Sequence, residues 1–384
     1  MTDIVGKGIG KVLEQQSPST LLDKLKAYGV DRRDFMKYCT MMAATLALPV
    51  DQVPRIAKAL QSEVKPRAIY MEFQDCAGNS EAVLRTSHPD VATIVLDILS
   101  WNYHETVMYA AGHQAEEALE QTIEEGGYLL FVEGSVPLGS EGVYCTIGGR
   151  TALDILQTVS RGAAAIINMG NCACFGNLPA ASPNPTGAVG VPSVISDRPV
   201  INMAGCPVNA VNVSALVTYY VTYNALPEVD RLGRPLFAYG ARIHDTCQRR
   251  AYFDAGLFVE QWGDAGHEQG YCLYKVGCKG PATYHNCGIA MYNERTSWPV
   301  AAGHGCIGCS EPAFFDRLAM YQRLPEVEGF GIEANAELIA AGIVGATALG
   351  VAAHAVGSAI RGRQEETRPE PRGETPTEEN EPKA

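Results

Sequence analysis

Three short apolar runs in this chain each end in a turn that carries a cysteine. They read AIYMEFQDC, AAAIINMGNC and PVINMAGC, and set Cys76, Cys172 and Cys206 just beyond the runs. A fourth run, YLLFVEG at 128–134, has the same apolar character. Short apolar runs bounded by turn residues read as buried strands. Helical stretches such as VATIVLDILS (91–100) and TALDILQTVS (151–160) lie between them. This alternation predicts an α/β domain over 65–245, with helices flanking a doubly wound parallel sheet. In such sheets ligands bind just outside the carboxyl ends of the strands. Three thiols are therefore expected along one sheet edge, where Gly78, Gly170 and Gly205 permit tight turns. Chance burial explains so regular a repeat poorly.

The remaining cysteines sharpen the point. Twelve in 384 residues are too sparse for a disulfide scaffold, and six fall between Cys247 and Cys309. In RIHDTC, His244 and Cys247 form H-x2-C, and Cys272 and Cys278 follow in GYCLYKVGC. One imidazole and three thiolates complete a four-coordinate set that suits zinc or a 4Fe-4S cluster. Lys275 and Lys279 are candidates to offset the thiolate charge. Cys287, Cys306 and Cys309 then follow a C-x18-C-x2-C pattern. Three thiolates without a fourth partner suit a three-iron cluster; Pro299 in the intervening loop cannot ligate, and His304 would be a fourth ligand for zinc. Residues 246–330 are rich in Gly, Cys and aromatics and lack long periodic segments, so bound metal is expected to hold them. The net charge of −13 argues against a nucleic-acid partner. The glycine turns carry cysteines rather than a G-x-G-x-x-G fingerprint, which disfavours a flavin site.

Both ends of the chain suggest targeting. Residues 1–64 read as a leader, helical at LLDKLKAYGV (21–30), with twin arginines Arg32 and Arg33 ahead of Phe35 and a mild apolar run. This stretch resembles a twin-arginine export signal, with AKA at 57–59 as a cleavage site. Residues 338–360 run for 23 positions without a formal charge. As a helix they would extend about 34 Å, enough to cross a bilayer. The tail from Arg361 is Pro- and Glu-rich and is expected to be disordered. Arg361 and Arg363 favour a cytoplasmic C-terminus, which puts the main domain on the extracytoplasmic or periplasmic face; the cytoplasmic face is the alternative.

Taken together, GNCACFG, PNPTGAV, AGCPVN, RIHDTC, GCKGP and WPVAAGHGCIGC form a specific set in a fixed order between about Arg67 and Pro312. In them the chain resembles the electron-transferring small subunit of nickel–iron hydrogenases. The resemblance implies a flavodoxin-like domain followed by a loop-rich iron–sulfur domain. It assigns Cys76, Cys172 and Cys206 to a proximal 4Fe-4S cluster. Cys287, Cys306 and Cys309 become ligands of a medial 3Fe-4S cluster. His244, Cys247, Cys272 and Cys278 become ligands of a distal 4Fe-4S cluster. The implied partners are a nickel–iron large subunit, where hydrogen is split, and a membrane acceptor such as a cytochrome or quinone-linked protein. A quinone-reductase iron–sulfur subunit and a structural zinc protein are the alternatives.

One ligand is missing. The three clusters call for eleven, and the residues above supply nine cysteines and one histidine. In EFQDCAGNSEA the family's second cysteine is replaced by Asn79. Asp75 is the preferred substitute, because a carboxylate is anionic and an amide is a weak ligand. Asn79, Cys174 and water stay open as alternatives, with Cys39 and Cys145 as further unassigned thiols. Some actinobacterial-type, oxygen-insensitive hydrogenases resemble this chain in completing the cluster with aspartate. Glu81 and Glu133, beside the proximal stretch, are candidates to assist protons or to bond to backbone.

Overall fold

The computed structural model describes residues 32–62, 65–86, 98–293, 295–318, 320–324 and 335–366, with side chains of the last segment described at 344–360. The expected helix at 21–30 lies outside these residues, as do most of the one at 91–100 and the tail beyond 366. The chain divides into two compact units, Met1–Leu324 and Pro325–Ala384.

The first unit is built on one five-stranded parallel sheet. Its strands are β1 (Arg67–Glu72), β2 (Ser100–His104), β3 (Tyr128–Glu133), β4 (Ala163–Met169) and β5 (Val200–Met203). They lie in the order β2-β1-β3-β4-β5, the flavodoxin-like arrangement. Every residue of β3 is buried, as a central strand covered on both faces requires. Alternate residues of β1 serve opposite cores: Ala68 and Tyr70 face one, Ile69 and Met71 the other.

Helices supply the two covers. On one face α1 (Arg32–Thr45), α2 (Val53–Leu60) and α7 (Ala210–Tyr223) pack together. On the other lie α4 (His113–Glu125) and α5 (Ala152–Ser160), while α3 (Gly78–Leu84) and α6 (Gly170–Phe175) begin just after β1 and β4. Thr151 caps α5 by accepting the Asp154 amide at 3.2 Å. Asn209 caps α7, accepting the Val211 amide at 3.0 Å and donating to the Met291 carbonyl at 2.6 Å. That second bond ties the sheet region to the loop-rich region after it.

The described part of the expected leader is not a loose arm. Cys39, Met42 and Ile56 are fully buried. Tyr38 shares a buried hydrogen bond with Thr218 of α7 at 3.1 Å. Arg32 and Arg33 stay exposed at the start of α1.

Among the described residues of 240–324 the helices are short turns, the longest being Arg250–Asp254. Their main core is small and includes two cysteines, Cys287 and Cys306. Among the described residues of the second unit a single helix, α8, runs Asn335–Glu366, past the end expected at 360. Its described apolar side chains, Val344 to Ile360, are exposed. Among the described residues no helix is long and apolar enough to cross a membrane, and those side chains cover only the later part of the 338–360 run.

Candidate metal centre

Strand register explains how the first three thiols meet. Glu72 pairs with Glu133, Glu133 with Met169, and Met169 with Met203, so four strand ends lie in one row. Cys76, Cys172 and Cys206 follow three of those ends within four residues. They interact electrostatically with one another. Cys76 and Cys206 are exposed in this chain alone, and Cys172 is half-buried. A side chain at position 78 would press on the Cys76 sulfur at 3.1 Å, so the glycine leaves that sulfur room. Burial pushes the Cys172 thiol up to about 11, with Cys206 and Cys76 adding to it. Asn177 donates from Nδ2 to the Cys172 sulfur at 3.5 Å. This contact, five residues beyond Cys172, carried no motif signal.

The candidates for the missing ligand have different surroundings. Asn79 is buried and its amide is fully engaged. Its Nδ2 donates to Glu133 Oε1 at 2.9 Å, and its Oδ1 accepts the Val208 amide at 2.8 Å. Gly170, at φ +79°, makes room for it, since a Cβ there would lie 2.2 Å from Asn79 Oδ1. Cys174 is buried in a separate pocket with Ala204 and Tyr239, and its thiol donates to the Asn168 carbonyl at 3.8 Å. Cys39 is buried in the helical cover, and Cys145 is half-buried against the α4–α5 side. Asp75 remains exposed beside Cys76. Partial withdrawal from water, then the charges of Glu133 and Glu72, push its carboxyl up to about 7.

Glu133 is fully buried and accepts from Tyr70, from both nitrogens of Asn79, and from the amide and hydroxyl of Ser80. It anchors the turn after Cys76. Glu81 is exposed and pairs with Arg85 at 2.6 Å.

The second thiol group joins the first. Cys309 interacts electrostatically with Cys206, and Cys287 and Cys306 with Cys309. Cys206, Cys287, Cys306 and Cys309 all line one open cleft of about 880 Å³. Burial pushes Cys309 up to about 11 and holds Cys287 and Cys306 above the ordinary thiol range.

His244, Cys247, Cys272 and Cys278 line a small cavity of about 20 Å³. Burial lowers His244 to about 4 and raises Cys272 to about 12. The imidazole is thus kept neutral, the form that ligates. The Cys306 amide donates to the Cys278 sulfur at 3.2 Å, and the Lys279 amide to the Cys306 carbonyl at 2.7 Å. Gly305 permits this approach, because a Cβ there would lie 2.9 Å from Cys278 Cα. Lys279 is buried, its Nζ donating to the Gly277 carbonyl at 2.7 Å and to the Gln322 carbonyl, with Cys278 and Cys306 near enough to favour its charge. Lys275 pairs with Glu260 at 2.6 Å. His304 bonds through Nδ1 to Gly305 O at 2.7 Å and stacks on Trp262.

Among the described residues, no three His, Cys, Asp or Glu side chains converge as a single metal ion needs. The donor chemistry suits iron–sulfur clusters, which take thiolates at several separated corners. The buried thiols stay protonated at neutral pH without a metal, so loading would release protons.

A flavodoxin-ordered sheet with thiols along its carboxyl edge, continued by a cysteine-rich loop region, is the build of an iron–sulfur redox subunit. The C-terminal family of the NiFe/NiFeSe hydrogenase small subunit matches residues 239–322, and the NADH ubiquinone oxidoreductase 20 Kd subunit family matches residues 76–220. An uptake hydrogenase small subunit from Azotobacter vinelandii is 46% identical over 89% of this chain and 96% of its own length. The small chain of a quinone-reactive Ni/Fe-hydrogenase from Wolinella succinogenes is 46% identical over 86% of this chain and 97% of its own. The reduced Ni-Fe-Se hydrogenase from Desulfomicrobium baculatum superposes with a TM-score of 0.64 at 30% identity, covering 68% of this chain and all (100%) of that one. The chain therefore belongs to the nickel–iron hydrogenase small subunits, which work in complex with a large subunit.

Proposed function

We propose that this chain carries electrons from hydrogen oxidised on a nickel–iron large subunit to a membrane-linked acceptor. Two 4Fe-4S clusters and one 3Fe-4S cluster would supply the one-electron chemistry. The observation that carries the reading is the row of thiol sets: Cys206 beside Cys309, and the Cys306 amide on the Cys278 sulfur. Cys76, Cys172, Cys206 and Asp75 would hold the proximal cluster. Cys287, Cys306 and Cys309 would hold the medial one, and His244, Cys247, Cys272 and Cys278 the distal one. The engaged amide of Asn79 and the remote thiol of Cys174 support Asp75 as the fourth proximal ligand.

The localisation follows from the chain ends and the relatives. The uncharged run at 338–360 would anchor the complex, and Arg32 and Arg33 would direct export of the main domain to the periplasmic face. A quinone-linked acceptor agrees with the quinone-reactive relative. The domain limits 65–245 and 246–330 belong to the same proposal.

Anaerobic purification with the large subunit, followed by iron and sulfide analysis and low-temperature paramagnetic resonance, tests the relay. A three-iron signal on oxidation and four-iron signals on reduction are expected; a colourless, iron-free complex would end the reading. For the ligand, Asp75→Ala should alter the proximal spectrum while Asn79→Ala leaves its type unchanged. An Asp75→Ala spectrum like wild type excludes the carboxylate.

A further inference from the structure

We propose that His285 sets the reduction potential of the medial cluster by donating a hydrogen bond from Nδ1 to the Cys287 thiolate. The inference rests on the assignment of Cys287 to a three-iron cluster made above. His285 Nδ1 lies 2.9 Å from Cys287 Sγ, and the residue is 1% exposed. Among the described residues, Nε2 meets no hydrogen-bond partner. The histidine is fixed on both sides. Its amide donates to the Ala241 carbonyl at 3.1 Å, and its ring stands edge-on to Tyr239 at 5.0 Å. Tyr239 is itself pinned through its hydroxyl to the Ala204 carbonyl at 2.6 Å.

The direction of the bond follows from ligation. A cysteine bound to iron has lost its proton, so the hydrogen between the two atoms must come from Nδ1. The other tautomer would bury an unpaired N–H at Nε2 and set a nitrogen lone pair against the sulfur, so it is disfavoured twice. A donor on a ligating sulfur withdraws negative charge and favours the reduced cluster, which raises its potential. Cys306, another medial sulfur, has different surroundings. Cys306 Sγ accepts from the Gly308 amide at 3.4 Å and lies 3.7 Å from Thr283 Oγ1. His285 thus places an imidazole in hydrogen-bond contact with a candidate ligand sulfur. It touches no reacting atom, and acts through Cys287 as a tuning residue.

The test is a redox titration of the purified small–large complex, following the three-iron signal by paramagnetic resonance. His285→Phe keeps the ring and removes the donor. Its medial midpoint should move negative while the proximal and distal midpoints stay in place. His285→Gln retains an N–H and should return the medial midpoint toward wild type. An unmoved medial midpoint in the Phe variant overturns the tuning role, as does an equal shift of all three centres. Should the Phe variant not assemble, wild-type complex labelled with ¹⁵N-histidine decides. A weak histidine-nitrogen coupling to the oxidised three-iron cluster is expected, and its absence overturns the proposal. A wild-type complex without a three-iron signal defeats the cluster reading itself, and this inference with it.

Discussion

At the scale of single residues, the site is governed by which polar groups are already engaged. Asn79 has its backbone and side-chain nitrogens on Glu133 and its oxygen on the Val208 amide. Asn79→Ala leaves that buried amide without an acceptor and removes one donor from Glu133. Leaving such a group unsatisfied costs about 1–3 kcal/mol. Chemical denaturation should show a loss of that order, and a loss of stability below it would mean that the amide finds another acceptor. His104 gives a pH signature. It is buried, stacks on Tyr70 at 4.2 Å, and burial lowers it from 6.5 to about 4. Between those values the unfolded chain binds a proton that the folded chain refuses, so this contribution is whole above pH 6.5 and fades as pH falls toward 4. The melting temperature of His104→Phe should therefore fall less steeply than wild type over that window. Parallel slopes would show that His104 does not govern it. Asp75 and Asn79 were both legible as candidates from sequence, and the chemistry of carboxylate against amide favoured Asp75 there. The engagement of Asn79 was not legible, because it depends on Glu133, 54 residues further along the chain, reaching Asn79 across the sheet.

At the scale of elements, the strongly apolar strands were legible because their burial pattern is written in consecutive residues. AIYMEF, YLLFVEG, AAAIINMG and PVINMAG became β1, β3, β4 and β5. The edge strand β2, SWNYH, was not singled out, because it is half-exposed and mixes polar with aromatic residues. The packing of α1 and α2 was illegible for another reason: a mildly apolar run after twin arginines reads equally well as a signal segment or as a helix with one buried face. In the structure that face is buried against α7 through Met42, Ile56 and the Tyr38–Thr218 bond. If cleavage follows Ala59, almost all of this cover is lost and the α7 surface beneath it changes surroundings. A test separates the states. Met42→Ala should destabilise the unprocessed chain by about 2–5 kcal/mol, the range for truncating a buried methionine. N-terminal sequencing identifies the processed chain, which lacks residue 42 and should melt identically whether expressed from wild-type or variant template. An unprocessed variant as stable as wild type would mean that α1 does not pack in solution.

For the whole molecule, the balance of cores decides what the clusters are for structurally. The sheet region has a large core on each face, with Leu129 and Phe131 on one side and Leu130 and Val132 on the other. The loop-rich region after it has a main core of eight buried residues, two of them the candidate ligands Cys287 and Cys306. Segments without extensive apolar burial need other cross-links to offset chain entropy. In the loaded protein those cross-links would be thiolate–iron bonds. In the stripped protein the same sulfurs become buried thiols, held protonated by withdrawal from water. The two regions should therefore respond differently to iron removal. Amide hydrogen exchange in the small–large complex should rise over residues 246–324 after chelation under reducing conditions, while β1, β3 and β4 keep their protection. The Cys306 amide is the sensitive reporter, because its acceptor is the Cys278 sulfur itself. An equal rise across strands and loops would show instead that the metal supports one cooperative unit, and that the sheet's apolar core is insufficient to hold it alone.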